Sequence, residues 1–164
     1  MTTLRGMESL SASELVDILN RMGDSSPKIE QTRIAGLLTA KTSLNPVEVV
    51  EKLKDIVEKE PWLLRSIQRV IPVEEVVETN IQKIAEVAHR LAQSIPADHT
   101  FRVTVEKRHT QLSSREIIEA VAAKIDKKVN LERPDWVVLV EVLGGLTGIS
   151  VIKPDQVFSA SKHS

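Results

Sequence analysis

Cysteine and tyrosine are both missing from this chain of 164 residues, and only two tryptophans and two phenylalanines are present. Without cysteine, the chain has no disulfide, no thiolate metal site and no thiol nucleophile. So few aromatic rings disfavour a surface on which RNA bases stack. Both tryptophans, Trp62 and Trp136, stand in apolar surroundings and are predicted to lie in the core.

Long hydrophobic runs and a strong charge bias are missing as well. No apolar run approaches the roughly 20 residues of a membrane helix, and residues 1–6 do not resemble a signal peptide. We therefore expect a cytoplasmic protein with no membrane partner. The formal net charge of -1 argues against coating nucleic acid through bulk charge. Residues 1–79 hold 10 Lys/Arg against 13 Asp/Glu, whereas residues 80–164 hold 12 against 10, so positive charge is predicted to gather weakly in the second half.

Four helices and several strands are predicted from local patterns. The helices open at Ser11-x-x-Glu14, Asn45-Pro46-x-Glu48, Thr79-x-x-Gln82 and Ser113-x-x-Glu116, each followed by an apolar stripe. The strands are expected at 2–5 (weak), 29–34, 37–42, 67–77, 100–108, 136–142 and 147–152. The order is β-α-β-β-α-β over residues 1–78 and α-β-α-β-β over residues 79–164. This predicts an α+β protein whose first domain is ferredoxin-like, with its first strand short or absent.

The segment that runs from Phe101 into the fourth helix places cations beside a helix start. Its alternating apolar and polar residues predict a half-buried strand, and three cationic side chains follow at the strand exit. The open amides and the dipole of the next helix favour an anion at its first turn. The candidate phosphate-binding residues are Arg102, Lys107, Arg108, His109, Ser113, Ser114 and Arg115. Capping alone would explain the two serines, and a solvated charged face would explain the cations.

Catalytic patterns are not found in the sequence. His89, His99, His109 and His163 show no metal-ligand spacing, and the adjacent pair Glu74-Glu75 would point to opposite faces of an extended segment. The glycines at 144, 145 and 148 predict a hairpin turn, since the lysine of a phosphate-cradling loop is missing. We therefore expect no catalytic residue, no metal and no cofactor.

Several segments resemble the THUMP domain. They are Phe101–Arg108, Ser114–Ile118, Asn130–Asp135 and Val140–Val151. Upstream, Thr32–Leu38, Glu60–Trp62 and Arg69–Val73 are similar to the ferredoxin-like domain that accompanies THUMP. The chain is most similar to stand-alone THUMP proteins that serve as adaptors in tRNA cytidine acetylation.

This resemblance implies a function in tRNA modification. It implies that the chain binds the tRNA acceptor end, has no chemistry of its own, and presents tRNA to a separate acetyltransferase for N4-acetylcytidine formation. The absence of a fused catalytic domain after Ser164 leaves the reaction to that partner, and no DNA partner is expected. The alternative is a protein–protein interaction module that acts through exposed sheet edges.

Overall fold

The computed structural model describes residues 1–160, in which four helices and ten strands are found. Ser161–Ser164, which include His163, lie outside the described residues. The helices are α1 (Glu8–Arg21), α2 (Pro46–Lys59), α3 (Ile81–Leu91) and α4 (Ser114–Lys124), with 3-10 turns at Pro61–Leu63 and Ala92–Ser94. The strands are β1 (Thr2–Thr3), β2 (Lys28–Gln31), β3 (Leu38–Lys41), β4 (Ile67–Val70), β5 (Glu75–Glu78), β6 (Thr100–Arg108), β7 (Lys128–Val129), β8 (Trp136–Leu143), β9 (Leu146–Ile152) and β10 (Phe158–Ser159).

The chain forms two units, Met1–Pro72 with the segment from Asp155 onward, and Val73–Pro154. The junction expected near Glu78 therefore differs from the division seen in the structure. The apolar run 67–77 is split by Pro72 into β4 and β5, and β5 pairs antiparallel with β9 of the second unit. Near its end, the chain returns to the first unit, where β10 pairs with β4. Both differences arise from long-range strand pairing.

The first unit is built on a β-α-β-β-α-β order. The strand β1 pairs antiparallel with β4 and bridges from Thr2 to Leu37, just before β3, which in turn pairs with β2. The resulting order β4-β1-β3-β2 matches the expected ferredoxin-like arrangement. As expected, the first strand is short, with only two residues in β1. The predicted α+β class is confirmed by this unit together with the second.

Buried hydroxyl groups hold the short strand β1 in place. The Thr3 hydroxyl donates to the carbonyl of Ser66 at 2.9 Å, and the hydroxyls of Ser66 and Ser11 lie 2.6 Å apart. Ser11 is fully buried inside α1, which begins at Glu8, so the prediction that Ser11 caps this helix is wrong. The turn at Gly6 (φ 85°) lets the helix start earlier.

The second unit is a five-stranded sheet with two helices on one face. The strand order is β5-β9-β8-β6-β7, in which β6 runs parallel to β8 and β9 runs antiparallel to both β8 and β5. The helices α3 and α4 pack against this face over a buried core that includes Ile84, Ala88, Phe101, Ile117, Val121, Val138, Val140 and Ile149. Because β5, β6 and β8 point the same way, the helices that follow β5 and β6 begin at the same end of the sheet.

The two tryptophans differ in burial, which corrects the prediction that both are core residues. Trp62 lies in a 3-10 turn and is 59% exposed. Trp136 is half-buried, its Nε1 donates to Nδ1 of His99 at 3.0 Å, and the Lys153 ammonium lies 5.7 Å from its ring centroid. A glutamate–proline pair before Trp62 starts a short surface turn, and so its apolar neighbours in sequence do not surround it in space.

Candidate nucleic-acid interface

Two helix starts lie at one end of the sheet in the second unit. The side chains of Asn80 and Ser113 cap α3 and α4 by accepting the amides of Lys83 and Glu116. The expected cap of α4 is therefore confirmed, whereas α3 begins one residue later than Thr79-x-x-Gln82 predicted. The first helical hydrogen bonds start from Ile84 and Ile117, so the two amides after each cap have no partner within their helix. These amides give the end of the sheet a positive potential.

A groove of about 670 Å³ opens at this end of the sheet. It is lined by the start of α3, the loop before α4 and the β8–β9 turn, through Thr79, Asn80, Ile81, Gln82, Thr110, Gln111, Leu112, Gly144 and Gly145. All of these residues are uncharged, and the side-chain amides of Gln82 and Gln111 are exposed. The groove therefore offers hydrogen bonds to neutral polar groups, while cations stand at the neighbouring strand exit.

Backbone hydrogen bonds fix the floor of the groove. Gly144 donates its amide to the carbonyl of Arg108 at 2.8 Å, and Gly145 accepts the amide of Thr79 at 2.9 Å. The Thr79 hydroxyl donates to the carbonyl of Gly144 at 2.8 Å. His109 has φ 57°, a left-handed conformation that is uncommon for a residue with a side chain. The chain is thus turned sharply where β6 leaves the sheet.

The predicted cations at this end have different environments. The Lys107 ammonium donates to the carbonyl of Leu112 at 2.9 Å, so it closes the loop that leads to α4. Arg108 is half-buried and His109 is exposed, and neither side chain has a hydrogen bond or ion pair within residues 1–160. Arg115 is 87% exposed and pairs with Glu119 at 2.9 Å, which contributes little to stability at the surface.

Arg102 does not join this group. It alternates with Phe101 and Val103, which face the helices, so its side chain lies on the other face of the sheet. Its Nη1 donates to the carbonyl of Leu131 at 3.1 Å, and its Nε is buried without a partner in the described chain. The structure therefore brings together six of the seven predicted residues, from Lys107 to Arg115, at one end of the sheet.

The charge of the second unit is balanced, unlike that of the second half of the sequence. Val73–Pro154 holds 11 Lys/Arg and 12 Asp/Glu. Any attraction for an anion is therefore local to the end of the sheet where α3 and α4 begin. Among residues 1–160, no three histidine or carboxylate side chains are grouped as metal ligands, and no helix there is long and apolar enough to cross a membrane.

The groove lining at 79–82 and 144–145 was not predicted as part of the site. The glycines are a hairpin turn, as expected, but the turn also forms the floor of the groove. A signal was present in the sequence, because a strand before α3 parallel to β6 places both helix starts together. Using it required knowing that the run 75–78 pairs within the second unit.

Comparisons with known proteins agree with this architecture. The family model of the THUMP domain matches residues 78–152. An uncharacterized protein of Methanocaldococcus jannaschii, MJ0421, is 34% identical over 110 residues, which are 64% of this chain and 30% of that protein. The chain thus spans under a third of the length of this relative.

Solved structures share the fold at low sequence identity. PH1313 from Pyrococcus horikoshii matches with a TM-score of 0.67 at 20% identity, over 92% of this chain and 54% of that one. A 4-thiouridine synthetase in complex with RNA and ATP matches with a TM-score of 0.61 at 18% identity, over 92% of this chain and 39% of that one. TrmN from Thermus thermophilus matches with a TM-score of 0.60 at 19% identity, over 92% and 43%. Residues 78–152 of this chain are a THUMP domain.

Proposed function

We propose that this chain is a tRNA-binding adaptor that holds the acceptor end of tRNA and presents the tRNA to a separate acetyltransferase for N4-acetylcytidine formation. A THUMP domain indicates RNA binding, and one solved structure with this fold is a 4-thiouridine synthetase–RNA complex. The observation that carries the proposal is the neutral groove between two open helix starts, with Arg108 and His109 beside it.

The arrangement suits the single-stranded end of an RNA. Phosphates are placed along Arg108, His109 and the open amides of Ser114 and Arg115, where positive charge is available. Base edges and ribose hydroxyls are placed in the groove, where Gln82 and Gln111 present amide groups. Hydrogen bonds to edges, rather than stacking, suit a site that is lined without an aromatic ring.

The adaptor role is supported by the resemblance to stand-alone THUMP proteins. It is tested by reconstitution: labelled acetyl-coenzyme A, tRNA and a purified tRNA acetyltransferase are combined with or without this chain, and N4-acetylcytidine is measured. We expect product only when the chain is added, and little product with the Arg108→Ala variant. Product formed by the chain without the acetyltransferase would show that it is an enzyme. Unchanged product on adding a chain that binds tRNA would contradict the adaptor role.

A second candidate function is protein–protein interaction through a sheet edge. Within residues 1–160, β5 is an edge strand of the five-stranded sheet, and Val76 in its centre is 57% exposed. An open edge can accept a strand from a partner. Sedimentation of the chain over a range of concentrations tests this alternative, since edge pairing between copies would raise the mass and Val76→Lys would lower it again.

A further inference from the structure

A second cationic surface lies on the β2–β3 hairpin of the first unit. Lys28 and Lys41 are cross-strand partners in this antiparallel pair, so their side chains leave the same face side by side. Both are exposed, and neither has a hydrogen bond or ion pair from its side chain within residues 1–160. Like charges directly opposite one another destabilise a strand pair. The hairpin itself therefore gains nothing from this arrangement.

The two lysines are held outward by the packing of the other hairpin face. Leu38 is fully buried, and its cross-strand partner Gln31 donates from its side chain to the Ser9 hydroxyl of α1 at 3.2 Å. Because side chains alternate along a strand, Lys28, three residues before Gln31, points away from the helices. Lys41, three residues after Leu38, does the same, so both ammonium groups face solvent.

Nearby carboxylates leave this pair uncompensated. Asp24, at the base of the hairpin, is buried and accepts hydrogen bonds from the amides of Ser26 and Ser43 and from the Thr42 hydroxyl. It therefore ties the two ends of the hairpin together and pairs with neither lysine. Glu30 lies on the lysine face, two residues beyond Lys28, and makes no ion pair in the described chain.

We propose that the lysine face, defined by Lys28 and Lys41, binds the phosphate backbone of the RNA that the THUMP domain holds. This inference rests on the proposed function. Charge complementarity favours phosphates, because two unpaired ammonium groups in fixed register gain an anionic partner at small cost in backbone order. Lysine is a point charge without a planar hydrogen-bonding fork, so the contact is independent of base sequence and sensitive to salt.

The test compares two double variants of equal charge change on the full chain. Lys28→Gln/Lys41→Gln removes the lysine face, and Lys52→Gln/Lys59→Gln removes two exposed cations of α2 as the control. Binding is measured to full-length tRNA and to a short single-stranded oligonucleotide with the sequence of its 3′ end. We expect the hairpin variant to bind tRNA about tenfold more weakly, with a salt slope lower by about 1 to 2, and the control to bind like wild type. Oligonucleotide binding should be unchanged in both variants, and Glu30→Gln should strengthen tRNA binding.

The outcomes separate this inference from the proposed function. Unchanged tRNA binding by the hairpin variant, with binding lost in Arg108→Ala, would overturn the lysine face and leave the THUMP interface in place. Equal losses in the hairpin variant and the α2 control would show attraction by general charge, which also overturns the inference. If the wild-type chain binds neither RNA at low salt, the proposed function fails first. Thermal unfolding of each variant confirms that the fold is intact.

Discussion

The amide of Gly144 donates a 2.8 Å hydrogen bond to the carbonyl of Arg108. This contact joins the β8–β9 turn to the last residue of β6, which is the residue whose guanidinium has no partner among residues 1–160. The turn thereby fixes the backbone from which the proposed RNA contact extends. Stability of the turn and RNA affinity are expected to be linked through this pair.

Gly144→Ala should weaken both properties. Gly144 has φ 58°, and a side chain in this left-handed region costs about 1–2 kcal/mol. The free energy of unfolding in urea and the affinity for tRNA should fall together. The matched control is Gly145→Ala, because Gly145 has no positive φ and open space around a new Cβ, so its change should stay within about 0.5 kcal/mol. Equal losses in both variants would contradict the special role of Gly144.

Arg108→Ala and Lys107→Ala should separate RNA binding from loop order. Arg108 makes no side-chain contact of its own by hydrogen bond or ion pair in the described residues, so its loss should leave the Tm unchanged and lower the salt slope of RNA binding by about 1. The Lys107 ammonium holds the carbonyl of Leu112, so its loss should lower stability by up to about 1 kcal/mol. A drop in Tm for Arg108→Ala, or none for Lys107→Ala, would reverse the two assignments.

Acid should destabilise the hairpin base through Asp24. The hydrogen bond from the Thr42 hydroxyl, followed by that from the Ser26 amide and then that from Ser43, holds the pKa of Asp24 below its usual range. A lowered folded-state pKa gives stability that is fully present above the unfolded pKa of about 3.9 and is lost as pH falls through the folded value. In urea unfolding from neutral pH to roughly pH 3, Asp24→Asn should show a shallower loss than wild type. Identical pH profiles would rule out this contribution.

The two tryptophans should respond differently to a quencher. Trp62 is 59% exposed, whereas Trp136 is half-buried and hydrogen-bonded to His99. Iodide should therefore quench the Trp136→Phe variant, which keeps only Trp62, more strongly than the Trp62→Phe variant. Trp62→Ala should cost less than about 0.5 kcal/mol of stability, and Trp136→Ala clearly more. Equal quenching would contradict the placement of Trp62 on the surface.

Local patterns in the sequence predicted the second unit well. The alternation at 100–108 and the apolar run at 136–142 became β6 and β8, and the cap at Ser113 opens α4 as expected. Each of these features depends on residues close in sequence, for which periodicity and capping chemistry are strong guides. The cations at the exit of β6 were also placed beside the helix start correctly.

Features that depend on distant partners were not predicted. The strand β5 pairs with β9, and its sequence alone does not reveal that partner, so the boundary between units and the groove wall at 79–82 were missed. Ser11 has the pattern of a helix cap, but it is buried against Ser66, far along the chain. Trp62 looked like a core residue because its exposure depends on the surface turn that carries it.

Binding of labelled tRNA, compared with the same tRNA trimmed of its single-stranded 3′ end, tests the central claim most directly. The measurement is made at low and at physiological salt, with wild-type chain and with Arg108→Ala. We expect tight binding of intact tRNA that weakens as salt rises, and weaker binding after trimming. Arg108→Ala should bind intact tRNA less well and lose little more on trimming. Equal affinity of the wild-type chain for intact and trimmed tRNA would contradict recognition of the acceptor end by the THUMP domain.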